Sequence, residues 1–163
     1  MTSSSYQVPR YVRWANPLIK VLNRLGLTIG TMRVIAVPGR KSGRLRSTPV
    51  SPVTVQGRRY AIAGISGSDW AKNARAAGWG TLSTGRRTEQ IALTEVIDPD
   101  EQRAVLRTFP VQVPHGVDFF IQAGVVTGPT PEEFERGVGR CVIFRITPRS
   151  APRARPGDGA HAS

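Results

Sequence analysis

Between residues 9 and 25 the apolar positions Tyr11, Ala15, Leu18, Leu22 and Leu25 recur at spacings of three and four, which is the helical period. Pro9 suits the first turn of such a helix, and Gly26 suits its end. Beyond it the period falls to two. Strands are predicted over 32–37, 45–55, 59–65, 79–83, 89–97 and 140–147, with turns at 39–43, 56–58 and 84–87. Pro49 and Pro52 put the second strand at an edge or a bulge, because proline cannot donate to a ladder. Short helices are predicted over 70–77, 99–109, 117–124 and 131–138. Ser66-Gly67-Ser68-Asp69, Asp98 and Thr130 stand at cap positions before the first, second and fourth. About six strands joined mostly by short turns should pair antiparallel. The fold class expected is therefore α+β, a closed or nearly closed small β-barrel with an N-terminal helix and short covering helices.

Composition sets the ends apart from the middle. Residues 1–8 read as a flexible arm. Residues 150–163, rich in Pro, Ala, Arg and Gly, read as a disordered tail. Residues 9–149 are left as one domain, a size that suits a chain of 163 residues with 39% hydrophobic positions. No signal-peptide pattern and no apolar run of membrane-spanning length is present, so a cytoplasmic protein is expected.

Charge narrows the partners. The formal net charge is +12, and all of the Lys and Arg except Lys20, Lys41 and Lys72 are Arg, the side chain that grips phosphate and carboxylate in two-pronged fashion. An anionic partner is implied. Nucleic acid is not expected, because the Arg residues are scattered over strands, turns and helices and no standard nucleic-acid motif occurs. Arg10, Arg13, Lys20 and Arg24 fall on one arc of the first helix. That arc reads as a solvated face, and it is also compatible with peripheral contact with anionic lipid. Cys141 lies in the apolar run Cys141-Val142-Ile143-Phe144 and reads as a small buried hydrophobe. His115 and His161 stand alone in sequence, so neither a zinc site nor a Ser-His-Asp triad can be assembled.

Two segments carry candidate chemistry. In the turn Gly39-Arg40-Lys41-Ser42-Gly43, the glycines free the backbone to curve. Arg40, Lys41, Arg44 and Arg46 can then surround an anion. In Gly64-Ile65-Ser66-Gly67-Ser68-Asp69-Trp70 a strand enters a glycine loop and then a helix N-terminus, which presents N–H groups to an anion or a ring carbonyl. Trp70 can stack on a planar ring or anchor its helix in the core. Acid–base residues are scarce, which suits a protein whose bound cofactor carries the chemistry.

The run from Val37 to Pro49 (VPGRKSGRLRSTP), the run from Asp69 to Gly78 (DWAKNARAAG) and Asn16-Pro17 together resemble the deazaflavin-dependent nitroreductases of actinobacteria, over roughly residues 9–98. The resemblance implies a split β-barrel and reduced coenzyme F420 as hydride donor, with flavin mononucleotide as the alternative cofactor. The implied acceptors are quinones, nitroaromatics and activated alkenes. It implies that Arg40, Lys41, Ser42 and Arg46 hold the cofactor's phosphate and polyglutamate tail, that Thr48 and Pro49 line the barrel, and that Ser66, Gly67, Trp70 and Asn73 lie near the ring. Ser66, or water beside it, is the expected proton donor. A homodimer is compatible with split barrels of this type. Where such proteins carry tyrosines over the substrate, this chain reads Val117-Asp118-Phe119-Phe120-Ile121, which keeps a non-catalytic cofactor- or lipid-binding protein as the alternative.

Overall fold

The computed structural model describes residues 32–150. The arm, the first helix with its basic arc, and nearly all of the tail lie outside the described residues.

Seven antiparallel strands form one sheet. They are β1 (Arg33–Pro38), β2 (Leu45–Val50), β3 (Val53–Val55), β4 (Arg58–Ala63), β5 (Trp79–Thr84), β6 (Arg87–Glu95) and β7 (Val142–Pro148). Their order across the sheet is β2-β1-β5-β6-β7-β4-β3. The helices are α1 (Asp69–Ala77), α2 (Pro99–Gln112), α3 (Val117–Gln122) and α4 (Pro131–Glu135), with a 3-10 turn at Pro114–Gly116. The α+β class and the split-barrel shape expected from the sequence are those of the molecule.

The strand expected over 45–55 is two strands. Ser51 and Pro52 interrupt it, and the halves β2 and β3 lie at opposite edges of the sheet. The three steps from Val50 to Val53 span at most about 11 Å. The end of β2 and the start of β3 must therefore stand close together, as the curled sheet of a split barrel allows. Proline at the break removes a ladder donor where the chain has to leave one edge for the other.

Side chains alternate across the curled sheet as the period of two demands. On one face Ile35, Val37, Ala61, Ala63, Leu82, Ile91, Val142 and Phe144 form a buried cluster with Ala71 and Ala74 of α1, and Trp70 packs on it. On the other face Tyr60 and Ile143 meet Leu106, Phe109, Phe120 and Phe134 under α2, α3 and α4. Helix α2 begins as expected, with the Asp98 side chain accepting from the Asp100 amide and Pro99 at its start. It continues three residues past Phe109, through Pro110, because Phe109 and Pro110 are both buried there and hold that turn against the core. Helix α4 is shorter than expected. Its cap at Thr130 is reciprocal: the Thr130 hydroxyl accepts from the Glu133 amide, and the Glu133 carboxylate accepts from the Thr130 amide. None of the helices among the described residues is long and apolar enough to cross a membrane.

Candidate functional site

The basic turn between β1 and β2 is a closed loop. The Gly39 amide donates to the Arg44 carbonyl at 2.8 Å, and the Gly43 amide donates to the Gly39 carbonyl at 2.8 Å. Gly43 sits at φ +70°, a left-handed conformation that side chains disfavour. The Arg44 amide donates to Ser42 Oγ at 3.3 Å.

Helix α1 fixes this turn from outside. Asn73, 3% exposed, accepts the Arg40 amide at 3.1 Å and Arg40 Nη1 at 2.9 Å, both on Oδ1. Arg40 Nη2 donates to Asp69 Oδ1 at 3.1 Å. Arg40 is thus partly committed to holding turn and helix together, which leaves Lys41, Arg46 and the remaining Arg40 donors to face a ligand. Gly39, Arg40, Lys41, Ser42, Arg46, Asp69 and Asn73 line a small polar cleft of about 150 Å³.

A second and larger cavity, about 470 Å³, opens beside it. Thr48, Pro49 and Val50 of β2 form one wall, Gly64, Ile65, Ser68 and Trp70 a second, and Phe109, His115, Phe119 and Phe120 a third. This slot is mainly apolar. Trp70 anchors its helix in the core, its ring lying 5.6 Å from that of Phe144, and it also lines the slot. Gly64 is needed for the close approach of the third wall, as a Cβ there would come within 2.9 Å of the Phe119 ring. The Ser68 hydroxyl is buried and has no hydrogen-bond partner, and as N-cap of α1 it makes no side-chain cap bond.

The structure therefore brings Arg40, Lys41, Ser42, Arg46 and Asn73 together in the cleft, and Thr48, Pro49 and Trp70 in the slot. Ser66 and Gly67 are exposed on the loop and line neither. Sequence reasoning included Ser68 and Asp69 only within the candidate loop, and Phe119 and Phe120 only through the resemblance, and it set His115 aside. Asp69 was legible, being one helical turn before Asn73. His115 reaches the slot through contacts between distant segments, for which a single sequence carries no signal. Cys141 is 6% exposed, and burial raises its thiol pKa to about 11, so it is no nucleophile at neutral pH. No cluster of His, Cys, Asp and Glu suited to a metal occurs among the described residues.

No protein-family model matches the chain, and no curated protein matches it. Among solved structures it is similar to a pyridoxamine 5′-phosphate oxidase-related, FMN-binding protein of Nostoc punctiforme, at 16% identity and a TM-score of 0.52, covering 83% of this chain and 80% of that one. A conserved hypothetical protein of Mycobacterium tuberculosis aligns at 14% identity and a TM-score of 0.49, over 81% of this chain and 80% of that one. An F420-H2-dependent reductase aligns at 16% identity and a TM-score of 0.45, over 72% of this chain and 95% of that one. At such identities the likeness is one of fold.

Proposed function

We propose that this chain is an oxidoreductase that holds the deazaflavin coenzyme F420 and uses it to reduce a small organic acceptor, a quinone, a nitroaromatic or an activated alkene. One observation carries the reading: the basic cleft and the apolar slot adjoin along β2. Arg46 lines the cleft and Thr48 lines the slot. Alternate residues of a strand share a face and lie about 7 Å apart. A ligand made of an anionic tail and a flat ring needs this juxtaposition of charge and apolar wall. A slot of 470 Å³ is in the range of small-molecule sites. The split-barrel fold, shared with an FMN-binding protein, is compatible with a flavin-type cofactor.

In this reading Lys41, Arg46, Ser42 and the free donors of Arg40 hold phosphate and carboxylate groups, and Asn73 keeps the turn in place. Trp70, Thr48 and Pro49 border the ring, with Ser66 and Gly67 on the loop at its edge. Reduced F420, when bound, supplies a hydride. Trp70, Phe119 and Phe120 keep water from the reacting atoms. F420 is preferred to flavin mononucleotide because its polyglutamate tail brings further negative charge to a cleft that already holds more cations than one phosphate requires.

The test is a titration with oxidised F420 and, separately, flavin mononucleotide, following cofactor fluorescence. Tighter binding of F420, weakened at least tenfold by combined Lys41→Ala and Arg46→Ala, is expected. Tighter binding of flavin mononucleotide would transfer the reading to that cofactor, and binding of neither would remove it. A non-catalytic binding protein is the second reading, favoured by the absence of any tyrosine from the slot's described walls. F420 binding with no reduction of any acceptor would decide for it.

A further inference from the structure

His115 stands alone in the sequence, and the fold gives it a position. The 3-10 turn that carries it is closed by the Gly116 amide donating to the Val113 carbonyl at 3.0 Å. A Cβ on Gly116 would come within 2.9 Å of the Phe109 ring, so the turn is pressed onto that ring. Phe109 in turn packs on Phe120 with centroids 4.7 Å apart. The turn is therefore set by the aromatic core, and it places His115 on the slot wall.

Every other described wall residue is apolar, a glycine, a proline or a hydroxyl. His115 is thus the one wall residue among those described with a side chain of the kind that serves as a general acid or base. It is also exposed. A proton donor needs both contacts, one toward the occupant and one toward bulk water to recharge it. The hydroxyls of Thr48, Ser51 and Ser68 are far too weak as acids to give up a proton without a base behind them.

We propose that His115 is the proton donor of the slot and that its substrate is a flat, neutral acceptor bearing a carbonyl. The inference rests on the reductase reading. Reduction of a ketone or enone adds one hydride, equivalent to two electrons and one proton, which reduced deazaflavin would supply while releasing its second proton to solvent. The acceptor is left anionic. The His115 imidazolium transfers one proton to that anion, giving a neutral product and a neutral imidazole, which takes a proton back from water. Acceptors that carry a carboxylate are disfavoured, because no Arg or Lys lines the slot's described walls to meet one. Of the elements joined to the turn, α3 brings Asp118 one position into its first turn, and the last turn of α2 carries no charged side chain. The pH profile is therefore attributed to His115 only after Asp118→Asn is shown to leave its shape unchanged.

Two measurements test this together. The first needs no cofactor: the His115 ring resonances are followed by NMR as 1-tetralone, or its carbonyl-free counterpart tetralin, is added. A shift with the ketone that greatly exceeds the shift with the hydrocarbon is expected. The second is turnover of a neutral enone with reduced F420. His115→Gln is expected to lower kcat by about a hundredfold, with KM and F420 affinity within threefold, an unchanged melting temperature, and loss of the alkaline fall in rate. Unaltered kcat in His115→Gln, with F420 bound and the parent active, overturns the inference and leaves the reductase reading intact. So does loss of turnover in Ser66→Ala alone, which returns the role to the loop. A ring that ignores the ketone overturns it independently. A parent protein that neither binds F420 nor turns over removes the inference and the reading at once.

Discussion

Glu101, at the start of α2, joins two strands of the sheet to that helix. Its carboxylate accepts Tyr60 Oη at 2.7 Å and Arg145 Nε at 3.0 Å, and it also pairs with Arg145 Nη2. The Arg145 guanidinium first, then the Tyr60 hydroxyl, hold its pKa below the ordinary carboxylate value. A carboxylate with a lowered folded-state pKa contributes stability above its unfolded value of about 4.3, and that contribution is lost as pH falls through the folded-state value. Glu101→Gln should thus cost about 1–3 kcal/mol at pH 7, and parent and variant should converge as pH falls below the ordinary carboxylate range. Urea unfolding at a series of pH values measures it, and a pH-independent difference would contradict the assignment. At this scale the cationic and polar residues of the cleft were legible, because the turn between β1 and β2 keeps them local. Glu101 and His115 were not, because each acquires its surroundings from segments dozens of residues away.

Among the elements, β5 and β1 pair unusually closely. A Cβ on Gly80 would fall inside contact distance of the Ala36 carbonyl and 2.9 Å from Val37 Cγ1. A backbone carbonyl in a ladder cannot move aside as a side-chain tip can. Gly80→Ala should therefore destabilise the fold by about 1–3 kcal/mol, read as a lower urea midpoint at unchanged slope; an unchanged midpoint would show that β1 yields. Strands and helices were largely legible from period and caps. The split of 45–55 was legible only as an irregularity, since Pro49 and Pro52 announce one without saying that the two halves lie at opposite edges. Tertiary closure decides that. The extension of α2 through Pro110 has the same origin: buried packing outweighs the one helix hydrogen bond that proline forgoes.

For the whole molecule, a net charge of +12 is an electrostatic load that a bound polyanion relieves. Tetraglutamate, which presents carboxylates without a ring, should raise the melting temperature at low salt, and the rise should vanish near 0.5 M salt, where the Debye length falls to about 4 Å. Lys41→Ala with Arg46→Ala should remove most of it if the cleft is the receptor. A full rise in that variant would assign the effect to diffuse surface charge. The interruption at Ser51-Pro52 bears on a different hazard, self-association. Exposed sheet edges invite copies of a chain to add strand to strand. Here one free edge is β2, where Pro49 lacks a donor, and the other is β3, only three residues long. A proline in one edge and a very short strand at the other make both poorer templates for a second copy to extend, so the interruption that separates the two edges also weakens the point from which fibrous growth would start.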